Sequence, residues 1–110
     1  MKYYRRLYVG ESIQNVKNVK FKLAVGAGQF QVWLIALAKN SDQLDIFHCA
    51  ELKQKCYDKK NLCVVCLAGS KDEAFQLVGK MLADTLAAGM EGDIKGYLVK
   101  NFEKTKGGGG

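Results

Sequence analysis

Two unbroken apolar runs constrain this chain more than any other feature: Val32-Trp33-Leu34-Ile35-Ala36-Leu37-Ala38 and Leu62-Cys63-Val64-Val65-Cys66-Leu67-Ala68. Neither alternates polar with apolar, as a strand wetted on one face would. Both are far short of the ~20 residues that a bilayer-spanning helix needs. They read as strands covered on both faces, which requires helices above and below a sheet. At 110 residues, 48% hydrophobic and 25% charged, the chain can build that core as one domain and does not have a disordered composition.

The chain has no proline, so glycines and helix caps carry the punctuation. Tyr3 to Val9 is aromatic and β-branched, predicting a strand that ends at Gly10, with Ser12 as a helix N-cap beyond it. Residues 13–25 fit two periods. Ile13, Val16, Val19 or Lys20, and Leu23 follow helical spacing, while Val19, Phe21, Leu23 and Val25 alternate as a strand would. The cap and the lysines favour a helix ending near Gly26. Phe30 to Ala38 is the clearest strand, followed by a polar turn at Asn40-Ser41-Asp42 and a brief extended piece from Leu44 to Phe47.

His48 to Lys59 reads as a helix with Cys49, Leu52 and Cys56 on one stripe. After the strand Leu62 to Ala68 comes Ser70-Lys71-Asp72-Glu73, a capping box that opens the most secure helix, stopped at Gly89. Asp93 caps a last helix carrying Ile94, Leu98 and Phe102, with Lys104 and Lys106 at its end. The expected fold is α/β: a small three-stranded, mostly parallel sheet in the order β-α-β-α-β-α-α, with helices on its faces. Residues 1–106 form the domain and 107–110 a flexible glycine tail. The first strand, bearing Arg5 and Arg6, suits a sheet edge.

Lysine and arginine number 17 against 11 acidic residues, a formal charge of +6, which favours anionic partners. Only Arg5 and Arg6 are arginines, however, and the lysines are dispersed. Bidentate recognition of phosphate or guanine prefers arginine, so nucleic acid is possible as a partner but not favoured. The basic N-terminus is not followed by an apolar run of signal-peptide length, so a cytoplasmic setting without membrane contact is expected.

In a parallel sheet, the turns Gly10-Glu11-Ser12 and Gly69-Ser70 would fall together at the strands' carboxyl ends. Helix N-termini there present free N–H groups that suit phosphate or carboxylate. Gly10, Ser12, Gly69, Ser70 and Lys71 are therefore candidate anion-binding residues. Neither turn is a Gly-x-Gly-x-x-Gly or a Gly-Lys-Ser/Thr loop, and Glu11, Asp72 and Glu73 would repel an anion, so capping is the plainer role.

Cys49, Cys56, Cys63 and Cys66 beside His48 have a metal-ligand count. On a strand, though, Cys63 and Cys66 would face opposite sides, and Cys49 and Cys56 share an apolar stripe with Leu52, so inert core thiols are expected. His48 and Cys49 as helical neighbours would point about 100° apart and not meet as base and nucleophile. Tyr4, Arg6 and Tyr8 would share one face of the first strand and Tyr3 and Arg5 the other, an arrangement able to stack bases, but an edge strand whose aliphatic stems cover apolar neighbours is the simpler account. No cofactor is implied.

Lys2-Tyr3-Tyr4 with Leu7-Tyr8-Val9-Gly10-Glu11-Ser12, then Asp42-Gln43-Leu44-Asp45-Ile46, Leu52-Lys53-Gln54-Lys55, Ala68-Gly69 and Glu73-Ala74, resembles a group of short uncharacterised bacterial proteins. The resemblance implies a free-standing small cytoplasmic protein and transfers no functional residue. The expectation is a non-enzymatic module that binds an unknown protein or a small anionic ligand at the crevice and self-associates through a sheet edge. A nucleic-acid accessory protein, or a small phosphometabolite-binding protein or enzyme at the Gly/Ser turns, are the alternatives.

Overall fold

The computed structural model describes residues 2–25, 31–38, 43–53 and 62–100. Four strands make one sheet: β1 (Lys2–Val9), β2 (Trp33–Leu37), β3 (Leu44–His48) and β4 (Cys63–Ala68). Their spatial order is β1-β4-β2-β3. Helix α1 (Val16–Val25) lies between β1 and β2 in the chain, and α2 (Lys71–Ala87) follows β4. A short 3-10 turn spans Cys49–Lys53, and a last helix, α3, occupies 94–100.

The sheet is mixed. Only β1 and β4 run parallel, while β2 is antiparallel to both β3 and β4. Two expectations are thereby corrected: the described residues hold four strands, not three, and their sheet is mixed, not mostly parallel. The extended piece after the polar turn is a full partner of β2, pairing from Trp33↔His48 to Leu37↔Leu44. This hairpin reverses the chain direction, so β4 enters the sheet antiparallel to β2. The helix expected from His48 also fails at its start, because His48 ends β3 and Cys49–Lys53 forms a 3-10 turn. The remainder of that helix, with Cys56, lies outside the described residues. So do Phe30, Asn40-Ser41-Asp42, Phe102, Lys104, Lys106 and the 107–110 tail.

The two apolar runs are neighbours in the centre of the sheet, with Leu34 opposite Leu67 and Ile35 opposite Cys66. Leu34, Ile35, Ala36 and every residue from Val64 to Ala68 are fully buried. Leu34, Ala36, Val64, Leu67 and Phe47 pack with Val16, Val19 and Leu23 of α1 on one face. Ile35, Val65, Cys66 and Ala68 pack with Ala74 and Met81 of α2 and with Ile94 and Leu98 of α3 on the other. The register shifts between Ile35 and Ala36, so Val65 is an extra residue against β2. This bulge turns Val65 and Cys66 to the same face.

Local signals explain the helix ends. Asn15 caps α1 by accepting from the Asn18 amide at 3.0 Å, so the cap stands three residues later than the expected Ser12. Ser70 caps α2, its hydroxyl accepting from the Glu73 amide at 3.1 Å. Gly89, at φ +78°, provides the left-handed stop. Asp93 opens α3 by accepting from the Gly96 amide at 3.0 Å. Strand β1 is an edge, as expected. Between Tyr3↔Val64 and Tyr8↔Cys66 its register shifts, so four residues, Tyr4 to Leu7, stand against Val65 alone.

Because Leu34 is wholly enclosed between α1 and the sheet, Leu34→Ala should cost about 3 kcal/mol of unfolding free energy. Urea denaturation measures this, and a loss under about 1 kcal/mol would show that the site collapses around the smaller side chain.

Candidate functional site

Parallel pairing sets the ends of β1 and β4 side by side, with Val9 opposite Leu67 and the Gly10 amide donating to the Leu67 carbonyl at 2.9 Å. Gly10, Ser12, Gly69 and Ser70 are thereby brought together. Only α2 begins at this crevice, since α1 starts at Val16 behind its own Asn15 cap. The two helix N-termini expected to converge there are one.

The carboxylate of Glu73 lies in the crevice. The Gly69 amide donates to its Oε1 at 2.7 Å, the Ser12 hydroxyl donates to Oε1 at 2.6 Å, and the Ser12 amide reaches Oε2 at 3.3 Å. In an ordinary capping box the N3 glutamate returns to the cap residue's own amide. Here it goes one residue further back, to Gly69, and across to the β1 turn. The glycines are required by that approach: a Cβ on Gly10 would fall on the Glu73 carboxylate, and one on Gly69 on the Ser12 hydroxyl. The Gly69 amide, followed by the Ser12 hydroxyl, holds the Glu73 carboxyl below the usual range, against a smaller opposing effect of burial.

Lys71 stands apart from this cluster. Its ammonium lies 5.8 Å from the centroid of the Trp33 ring and 5.9 Å from that of Phe75, toward β2.

Cys66 is buried, while Cys49 and Cys63 are half-buried. Among the described residues, no group of three or more histidine, cysteine or acidic side chains could hold a metal ion. The bulge at Val65 removes the strict alternation that would separate Cys63 from Cys66. Burial, then the charge of Glu73, pushes the Cys66 thiol up to about 12, so it remains protonated at neutral pH.

His48 and Cys49 do approach each other, contrary to expectation, because the strand ends between them: Cys49 Sγ is 3.9 Å from His48 Nδ1. The single lone pair of that nitrogen accepts from the Ala50 amide at 3.1 Å. Assigned from this network, the proton sits on Nε2, which donates to Gln31 Oε1 at 3.0 Å. The imidazole also meets Trp33 edge-on, with centroids 5.4 Å apart. A ring held this way cannot readily take the Cys49 proton.

A second site was only partly visible in the sequence. Tyr4, Arg6 and Tyr8 of β1, with Leu7 and Val9 beside them across the register shift, meet Leu77, Lys80 and Asp84 of α2 and Tyr97 of α3 around a groove of about 410 Å3. Tyr4 and Tyr8 are stacked, with centroids 6.3 Å apart and planes within 6°. The Tyr8 hydroxyl donates to Asp84 Oδ2 at 2.5 Å, and the Lys80 ammonium lies 6.0 Å from the Tyr8 ring centroid. Burial, then the Asp84 hydrogen bond and charge, raises the Tyr8 phenol well above the ordinary tyrosine range. The signal for β1's share was the Tyr4-x-Arg6-x-Tyr8 spacing. Lys80, Asp84 and Tyr97 carry no local motif that ties them to it.

Comparison with family models, curated proteins and solved structures returned no match to this chain. No helix among the described residues is long and apolar enough to cross a membrane.

The Glu73 network yields a pH-dependent prediction. A carboxyl held below its unfolded value contributes stability that is present above about pH 4.3 and fades as pH falls through the lower folded value. Solvent screens this exposed carboxylate, so Glu73→Gln should cost no more than about 1 kcal/mol at pH 7, with the gap to wild type closing in acid. Chemical denaturation at pH 7 and pH 3 checks this; an equal gap at both would show that the charge contributes nothing.

Proposed function

We propose that this chain is a small cytoplasmic binding module whose ligand site is the tyrosine-lined groove between β1, α2 and α3, and whose ligand is a small anion. The observation that carries this reading is the groove itself, which sets the exposed cations Arg6 and Lys80 beside three tyrosines. Its volume of about 410 Å3 falls within the usual range for small-ligand sites. Asp84, the carboxylate in the lining, is engaged by the Tyr8 hydroxyl, so its repulsion of an anion is reduced. The rings and the hydrogen-bonded phenol give the walls a fixed shape before any ligand arrives.

The crevice at Gly10 and Gly69 supports the same choice from the other direction. The donors expected to receive an external anion already serve Glu73. A ligand there would have to displace a carboxylate fixed by three hydrogen bonds on its own chain.

Nucleic acid is the second reading, favoured by the +6 charge and by the pairing of Arg6 with tyrosine rings. The two readings separate by ligand size and salt response, since binding across several phosphates weakens steeply with salt.

Thermal shift against inorganic phosphate, mononucleotides, small carboxylates and a short single-stranded DNA tests both. A ligand at 100 times its Kd stabilises by about 2.7 kcal/mol, a shift of several degrees for a domain of this size. We expect a small anion to give such a shift and Arg6→Ala with Lys80→Ala to abolish it. A shift that survives both substitutions, or none from any small anion, would refute the assignment. A response to DNA alone would transfer it to nucleic acid.

A further inference from the structure

Helix α1 turns a basic face with an aromatic crest to solvent. Its packed stripe is Val16, Val19 and Leu23, which lie against the sheet. Opposite that stripe stands Phe21, 63% exposed and the most exposed large apolar side chain among the described residues. The exposed Lys17 lies one turn earlier on the same crest, about 40° away around the helix axis, with the exposed Asn18 beside it. Lys20 and Lys22 flank Phe21 at about 100° to either side. Lys20 reaches toward the sheet edge, its ammonium 4.6 Å from the centroid of the Tyr3 ring. Arg5 extends the positive charge along β1, exposed between Tyr3 and Leu7, which both pack on the α1 side.

Charge is distributed unevenly across the sheet. The ten residues of α1 include three lysines and no acidic residue. On the opposite face, α2 carries Lys71 and Lys80 against Asp72, Glu73 and Asp84, and Glu91 and Asp93 follow before α3. Of the acidic residues in the described segments, only Glu11, Asp45 and Glu51 precede β4, and none of these lies on α1. Lysines dispersed along the whole chain thus leave one helix with a strong positive field of its own.

A polyanion complements this face, and the exposed ring narrows the choice to one kind. A nucleic-acid strand whose bases are unpaired offers a flat π-surface to Phe21 while its phosphates meet the flanking lysines. A duplex hides those surfaces within its stack. Tracking a backbone without reading base edges needs charge rather than the arginine fork, so lysine suits the task. A bilayer fits less well. An interfacial helix sinks its apolar face into lipid, whereas α1 spends that face on the sheet and leaves one large apolar side chain outside.

We infer that the outer face of α1, formed by Lys17, Lys20, Phe21 and Lys22, is a docking surface for single-stranded nucleic acid. Phe21 stacks on a base and the lysines follow the phosphates, without preference for sequence. The surface lies across the sheet from the tyrosine groove, so it stands or falls independently of the small-anion site.

Fluorescence anisotropy of a labelled oligothymidylate of about twelve nucleotides, titrated with the full chain, is the test. Binding should weaken about tenfold or more between about 50 and 200 mM salt, as contacts from three lysines require. Phe21→Ala should weaken it at least about fivefold without changing the salt slope, and Phe21→Trp should retain it. Lys17→Ala with Lys20→Ala should weaken binding and flatten the slope, while Arg6→Ala with Lys80→Ala leaves both as in wild type. These side chains are exposed or half-buried, and circular dichroism should show every variant folded. Absence of binding at low salt overturns the inference, as does binding indifferent to the α1 substitutions. Loss with Arg6→Ala and Lys80→Ala alone would move the strand to the groove and overturn it equally. Binding of the oligothymidylate–oligoadenylate duplex, of polyglutamate or of anionic phospholipid vesicles as tightly as the single strand would overturn the assignment of the partner.

Discussion

Burial of β4 beside β2 is the constraint from which the rest of the structure follows. From Val64 to Ala68 this strand has no access to solvent, so each of its peptide groups must find a partner within the protein. Strand β2 supplies one side and β1 the other. Both faces must also be roofed, which explains why α1 packs on one and α2 with α3 on the other. The edges fall to the segments that can tolerate water: β1 with its arginines and β3 with the exposed Asp45.

The parallel pairing of β1 with β4 sets two Gly/Ser turns beside the start of α2, a concentration of N–H groups that attracts negative charge. The chain meets that attraction from within. The cluster is tight enough that a side chain on Gly10 would displace the Glu73 carboxylate and one on Gly69 the Ser12 hydroxyl that donates to it. The same carboxylate also helps keep the nearby Cys66 thiol protonated. One residue thus closes the crevice, ties β1 to α2 and contributes to the inertness of a buried cysteine. The groove proposed for an external anion lies further along the same face of α2, where Arg6 and Lys80 border the tyrosines.

Sequence patterning revealed the central strands, the edge position of β1 and the caps at Ser70 and Asp93, because each rests on local composition or a short-range hydrogen bond. Helix α1 was legible from Val16, Val19 and Leu23, though Asn15 rather than Ser12 caps it. Strand direction was not legible. The polar turn ahead of Leu44 fitted a hairpin, but the alternation of Leu44, Ile46 and His48 with Asp45 is brief. Taking that segment as minor yielded three strands and a parallel sheet. The Gly/Ser crevice could be located, yet its occupant could not, since Glu73 already had an adequate role in the Ser70 capping box. The groove was least visible, because it joins β1 to residues about seventy to ninety positions away whose spacing on α2 and α3 serves ordinary packing equally well.

Which of the two places receives an external anion is decided most directly by amide chemical-shift mapping during titration with inorganic phosphate and a mononucleotide. The largest saturable changes should fall on Arg6, Tyr8, Lys80, Asp84 and Tyr97, with Gly10, Ser12 and Gly69 little affected while Glu73 holds them. Changes centred on Gly10, Ser12, Gly69 and Ser70 instead would contradict this, showing that an external anion displaces Glu73 and that the crevice is the site.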